Sequence, residues 1–296
     1  MNGRKWNWSD QFHKMKTVFF GTPDYVLPIL TALHKVYGVI GVVTQKPKEI
    51  GRKKFITRSP IDNWAYKHKV EVIYDLNKIP EADLGILAAY GEIIPEAVIK
   101  KLKFGILNVH PSLLPKWRGA SPIQAAIASG QKQTGVTIIK LDGEIDHGPI
   151  VSQFTEDILD SDTTATLRQR LFERSADVLV ALIKPYLDGK ITPRPQNHQE
   201  ATFTRQLKKE SGFIDLTNTK PDEAERFIRA MQPWPGAWTL LRLSATEGQT
   251  HKRLKIIKAH LETDQLVLDT VQLEGKNPVS YEEFKKGYPK VTFTKE

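Results

Sequence analysis

The chain has 296 residues, 40% apolar and 26% charged, an ordinary globular composition with room for about two domains. No apolar run reaches the roughly 18–20 residues of a membrane span, and the absence of Cys excludes thiolate zinc sites, iron–sulfur clusters, disulfide scaffolds and a Cys nucleophile. The net charge of +9 is uneven, with 21 Lys/Arg against 10 Asp/Glu over residues 1–140 and 6 against 11 over 141–200, so the first part of the chain suits either a polyanionic partner or a solvated basic surface.

Residues 1–14 carry no export signal and read as an extension ahead of Met15. Strand and helix then alternate. Residues 17–20 form a short apolar strand ended by Gly21. A helix over 24–35 follows, with Val26, Leu27, Leu30 and Leu33 on its apolar side. Residues 39–44 read as a buried strand. Ser59 and Pro60 open a helix of about ten residues, with Ser as cap and Pro at the first position. Strands follow at 70–73, 84–88 and 106–109, with a helix over 95–103 between the last two. A long helix over 163–188 stops at Gly189. Continuous apolar strands spaced by helices predict an α/β, Rossmann-like domain with a mostly parallel sheet. The polar, proline-containing stretch 190–206 reads as a linker. A helix over 221–231 and β-like runs at 238–243, 254–259 and 266–273 predict a small, OB-like β-barrel second domain.

Nucleotide-loop and HExxH patterns are missing, and FGTP (20–23) lacks the glycines that let a pyrophosphate approach the backbone. Three stretches carry possible chemistry. In NVHPSLLPKWRGASPI (108–123), Asn108 and His110 stand two apart at the end of a strand, so their side chains share a face. Ligands of open parallel sheets bind beyond that end. The loop that follows is stiffened by two prolines and holds Trp117 and Arg118, which suits a flat, partly charged aromatic ligand. A structural His with a Pro-rich turn explains the same residues. In LDGEIDHGPIV (141–151), the acidic Asp142, Glu144 and Asp146 sit beside His147 among glycines. A carboxylate there can orient His110, or the stretch is a solvated turn. In KPKEIGRKKFITR (46–58), six basic residues stand against one acid. That loop suits a phosphate backbone or plain solvent.

Together these stretches resemble the methionyl-tRNA formyltransferases, within the formyltetrahydrofolate-dependent formyltransferases, over nearly all of residues 15–288. FFGTPDY (19–25), VVTQKP (42–47) with GRKK (51–54), AAYGEIIP (88–95), NVHPSLLPKWRGASPI and TGVTIIKLDGEIDHGPIV (134–151) carry the likeness in the first domain. KKESGFID (208–215), RAMQPWPGAW (229–238) and VQLEGKNPVS (271–280) carry it in the second. The resemblance implies a catalytic domain at 15–189, a linker at 190–206 and a tRNA-contacting domain at 207–296. It places the catalytic trio on Asn108, His110 and Asp146. The folate-binding loop falls on Ser112, Leu113, Leu114, Pro115, Lys116, Trp117, Arg118 and Gly119. The loop that meets tRNA includes Lys46, Lys48, Arg52, Lys53, Lys54 and Arg58.

The implied reaction moves the formyl group of 10-formyltetrahydrofolate to the α-amine of methionyl initiator tRNA, without a metal. The implied protein is a cytoplasmic monomer with no membrane partner. Two features depart from the family pattern: His147 stands where Thr is usual, and the second domain is short between 259 and 266. The alternatives are a sugar-nucleotide N-formyltransferase, which the basic loop disfavours, and a formyltetrahydrofolate hydrolase. An RNA-binding protein without catalysis would leave Asn108, His110 and Asp146 unexplained.

Overall fold

The computed structural model describes residues 15–50, 55–242 and 251–294, so the extension at 1–14 and Arg52, Lys53 and Lys54 lie outside the described residues. Two compact units divide the chain. The first comprises residues up to Arg118 with Gly135–Glu156 and Gln169–Thr202, and the second comprises Gly119–Thr134, Asp157–Arg168 and the chain from Phe203 onward.

In the first unit, the apolar run Thr17–Gly21 forms β1, buried along its whole length. A 3₁₀ turn over Asp24–Val26 leads into α1 (Leu27–Tyr37), whose Ile29, Leu30, Leu33 and Tyr37 are buried. Strand β2 (Gly41–Val43) is followed by an antiparallel ribbon of β3 (Lys48–Ile50) and β4 (Phe55–Thr57). The basic stretch 46–58, read from its composition as a loop, therefore supplies two arms of a hairpin. Next, α2 (Pro60–His68) starts as its sequence predicts, with the Ser59 side chain accepting from the Asp62 N–H at 3.0 Å.

Strands β5 (Glu71–Ile73) and β6 (Leu84–Ala88) follow. The helix expected over 95–103 is only one α-turn, α3 (Glu96–Ile99), because beyond Lys100 the amides of Lys101 and Leu102 bond three residues back rather than four. Strand β7 (Ile106–His110) lies parallel to β6, and its other neighbour in the sheet runs antiparallel. Two further strands and the long helix of this part of the chain are β9 (Gln133–Lys140), β10 (Ile150–Asp157) and α5 (Thr164–Leu187), with β8 (Arg118–Gly119) and α4 (Pro122–Ala128) preceding them. The sheet order is β10-β9-β7-β6-β1-β2-β5, parallel from β7 to β5. Val18 and Phe20 of β1, Val43 of β2 and Ile106 of β7 share one core with Tyr90, which meets Phe20 edge-on at 6.2 Å.

The second unit holds β11 (Phe203–Thr204), α6 (Pro221–Ala230), β12 (Ala237–Arg242), β13 (His251–Glu262), β14 (Gln265–Leu273), β15 (Val279–Ser280), α7 (Tyr281–Gly287) and β16 (Thr292–Thr294). Its sheet is antiparallel in the order β15-β14-β13-β12-β16. The inward residues Leu241, Leu254, Ile256 and Val271 are fully buried, as expected for a sheet with one face on a core. Among the described residues, no helix is long and apolar enough to cross a membrane.

The short stretch between 259 and 266 is the tip of the β13–β14 hairpin. Glu262 pairs with Gln265, and the two residues between them, Thr263 and Asp264, both have positive φ (47° and 62°). Two-residue hairpin loops of this kind favour Asn-Gly, because β-branched side chains fit the left-handed region badly. Replacing Thr263 by Asn and Asp264 by Gly should therefore stabilise the protein by about 1 kcal/mol. Urea denaturation of the double variant checks this, and an unchanged or lower midpoint would show that the turn is not strained.

Candidate active site

The site grows from the end of β7. Its backbone is held on both sides, with Leu87 of β6 paired to Asn108 and with Ile139 and Thr137 of β9 paired to Asn108 and His110. Side chains two apart on a strand share a face, so Asn108 and His110 project together. The carboxylate they meet comes from the loop joining β9 to β10. The base of that loop is closed by the Lys140 N–H, which donates to the Pro149 carbonyl at 3.0 Å, and by the Leu141 N–H, which donates to the Ile106 carbonyl at 2.8 Å. Inside it, Asp142 accepts from the Glu144 N–H at 3.0 Å, an Asx turn. The chain then reverses through Asp146 at φ 49°. A Cβ on Gly148 would overlap the Lys140 carbonyl oxygen, so no larger residue fits there without a shift.

This path brings Asp146 onto the other two residues. Asn108 Nδ2 donates to Asp146 Oδ1 at 3.1 Å, and His110 Nδ1 lies 3.4 Å from the same oxygen. All three residues are buried, Asp146 to 9% exposure. His110 Nε2 lies 2.9 Å from the Trp117 carbonyl, so both ring nitrogens face oxygen acceptors. His147 turns to its own loop, with Nδ1 2.7 Å from Asp142 Oδ2 and its ring stacked on His198 at 3.9 Å between centroids.

The expected ligand loop divides by burial. Ser112, Leu114 and Arg118 point inward. Ser112 donates to the Lys116 carbonyl at 2.7 Å, and Thr137 donates to the Ser112 carbonyl and receives the Leu114 N–H. These side chains hold the loop in shape. Leu113, Pro115, Trp117 and Gly119 are partly exposed and Lys116 is exposed, so these residues are open to a ligand. Of the expected phosphate-contacting residues, Lys46 and Lys48 precede or begin β3 and Arg58 follows β4. Phe55 and Ile56 on the same ribbon are exposed apolar side chains. Among the described residues, no group of three or more His, Asp or Glu is arranged to hold a metal.

Sequence reasoning missed two side chains that build the site. Gln196 and His198 lie in the stretch read as a linker, yet Gln196 is buried and bonded to the Asp146 and Gly148 carbonyls of the loop joining β9 to β10. A polar residue between proline and asparagine gives no signal of burial.

The formyl transferase family model matches residues 15–183, and the model of the formyl transferase C-terminal domain matches residues 206–266. A methionyl-tRNA formyltransferase of Bacillus thuringiensis subsp. konkukian is 34% identical over 301 aligned positions, covering 92% of this chain and 96% of that protein. Among solved structures, the N-formyltransferase of Helicobacter canadensis in complex with folinic acid and dTDP-3-aminofucose matches with TM-score 0.66 at 17% identity. That match covers 90% of this chain and 98% of the other. The methionyl-tRNA formyltransferase of Clostridium thermocellum matches with TM-score 0.58 at 18% identity over 88% and 98%. At these identities the structural likeness is one of fold.

The crowding at Gly148 has a measurable consequence. Gly148→Ala should cost about 1–3 kcal/mol, the range for forcing extra volume into a packed site. Gly143→Ala in the same loop, where an added Cβ meets nothing within 4 Å, should stay within about 0.5 kcal/mol of the parent. Equal effects of the two substitutions in chemical denaturation would contradict the close approach.

Proposed function

The chain belongs to the formyl transferase family, and from that premise we propose that it transfers the formyl group of 10-formyltetrahydrofolate to the α-amine of methionyl initiator tRNA. The observation that carries this choice of acceptor is the 34% identity to a methionyl-tRNA formyltransferase over 92% of the chain, second domain included. In chain order the catalytic domain is assigned to residues 15–189 and the second domain to 207–296, an order that the two family matches support, while 190–202 of the expected linker packs within the first unit.

The chemistry asked of the site is an amine attack on a formyl carbon. A C–N bond forms, the carbonyl oxygen takes up negative charge, and the amine must lose a proton. The intermediate then collapses as the bond to the folate nitrogen breaks, and that nitrogen leaves with a proton. Asn108 carries two N–H donors on one nitrogen. One goes to Asp146, and in this reading the other donates to the developing oxyanion. His110 exchanges the proton with the amine. Both of its ring nitrogens meet oxygens, Asp146 Oδ1 at 3.4 Å and the Trp117 carbonyl at 2.9 Å, so proton exchange with the amine requires one of those contacts to be given up. Asp146 fixes the imidazole and the Asn108 amide together. Folate packs on the open side of the 112–119 loop, at Trp117 and Lys116, while Ser112 and Arg118 hold that loop from behind. Lys46, Lys48 and Arg58 at the ribbon of β3 and β4 meet the tRNA backbone, and Arg52, Lys53 and Lys54 add three more basic residues in the same stretch of sequence.

The test is an acceptor comparison. Purified protein with 10-formyltetrahydrofolate should formylate methionyl initiator tRNA, leave amino-sugar nucleotides untouched and release little formate without acceptor. Product on the sugar alone, or free formate alone, would replace this reading. Asn108→Ala should lower kcat by about 10²–10³. Charge reversal at Arg52, Lys53 and Lys54 should raise KM for tRNA and flatten the dependence of log(kcat/KM) on log[salt], by about one for each phosphate that the segment neutralises in the parent. An unchanged slope would remove this segment from the RNA interface.

A further inference from the structure

We propose that Gln196 is a positioning residue for the formyl transfer, acting by clamping the backbone that carries Asp146. The inference rests on the catalytic role given to Asp146 above.

Gln196 is 6% exposed and uses its whole amide. Its Nε2 donates to the Asp146 carbonyl at 2.9 Å and to the Gly148 carbonyl at 2.7 Å. Its Oε1 receives two N–H groups of Arg118, from Nε at 3.2 Å and Nη2 at 2.7 Å. Arg118 is 4% exposed, and its Nη2 also lies 2.8 Å from His198 Nδ1. His198 in turn stacks face to face on His147, the residue after Asp146. A chain of contacts thus runs from the buried guanidinium through Gln196 to the two carbonyls that flank His147. It also returns to the loop through the stacked rings.

The chemistry explains why Gln is the residue needed. Two buried carbonyls aimed at one point call for a nitrogen with two donors, while the buried guanidinium calls for an acceptor. A primary amide supplies both on one rigid plane. Glutamate satisfies Arg118 but offers the two carbonyls no donors. Methionine fills the space and satisfies neither. Asp146 sits at φ 49°, off the regions that L residues prefer, so this stretch of backbone needs outside support to stay where it is. With the clamp in place, the carboxylate is delivered within reach of Asn108 and His110. Displacement by about 1 Å at such a site can cost on the order of 10² in rate.

The experiment uses the full-length protein with Q196E and Q196M, D146N, and each double variant. Turnover is measured with 10-formyltetrahydrofolate and methionyl initiator tRNA, and amide hydrogen exchange is followed across residues 142–149. Either Gln196 substitution should lower kcat by about 10²-fold, with KM for both substrates within about twofold. On the D146N background the same substitution should add little, because both act on one carboxylate. Exchange across 142–149 should rise by roughly ten- to a hundredfold, the effect of removing two buried hydrogen bonds, while β6 and β7 stay protected. Should Q196E not fold, Q196M is read in the same cycle. Wild-type kcat in a folded Gln196 variant, losses that simply multiply in the double variant, or unchanged exchange at 142–149 would each overturn the proposal. D146N with full activity would overturn it too, by removing Asp146 from the mechanism. A Q196M protein that exchanges faster even where no acceptor is formylated would support the clamp while rejecting the assigned substrate.

Discussion

The site is organised by one buried carboxylate. Asp146 is almost out of solvent, and a carboxylate taken from water must find donors or lose its charge. Its partners, Asn108 and His110, are fixed by strand pairing on both sides of β7, so they cannot move to meet it. The loop has to come to them. That requirement accounts for the left-handed turn at Asp146, the missing side chain at Gly148 and the bonds that close the loop at Lys140 and Leu141. An irregular stretch of backbone, carrying Asp146, therefore lies beside a regular one, carrying Asn108 and His110. Strain kept at a functional loop and offset by surrounding contacts is a common outcome of this conflict.

Much of the first unit is legible in the sequence because burial on both faces of a parallel sheet leaves uninterrupted apolar runs. Thr17–Gly21, Leu84–Ala88 and Ile106–His110 show this directly. The Ser59-Pro60 start of α2 is equally plain, since cap and first-turn proline are local signals. Less is legible where a local pattern is overruled by its neighbours. The ribbon of β3 and β4 has no apolar alternation to announce it, because its exposed arms carry Phe55 and Ile56 beside lysines. Strand β9 has a β-branched stretch at 136–139, but its antiparallel place beside β7 is a tertiary fact. The α3 segment has helical periodicity, yet its bonds tighten to three residues after one turn.

The candidate site divides in the same way. Asn108 and His110 are readable as a pair from strand periodicity alone. Asp146 is readable only as one of three acids in a glycine-flanked loop, and nothing local separates it from Asp142 or Glu144. The structure separates Asp142 and Asp146 by what they bond. Asp142 serves the turn and His147, while Asp146 reaches β7. By resemblance Arg118 falls in the folate-binding loop, with no direction given for its side chain. Its guanidinium is turned inward onto Gln196 and His198. A cation followed by glycine gives no indication of which way it faces, so this direction could come only from the packing.

His147 directly follows Asp146, so an imidazole stands next to the buried carboxylate. Its contacts lead elsewhere: one ring nitrogen is met by Asp142, and one ring face is covered by His198 at 6° between planes. His198 is tied by the same ring to Arg118, so the flat surface that His147 rests on is itself anchored. The His147 side chain thus adds contact between the loop and the 196–198 segment while Asp146 keeps both of its partners. The stacked ring therefore serves as loop-anchoring surface at the residue next to the carboxylate.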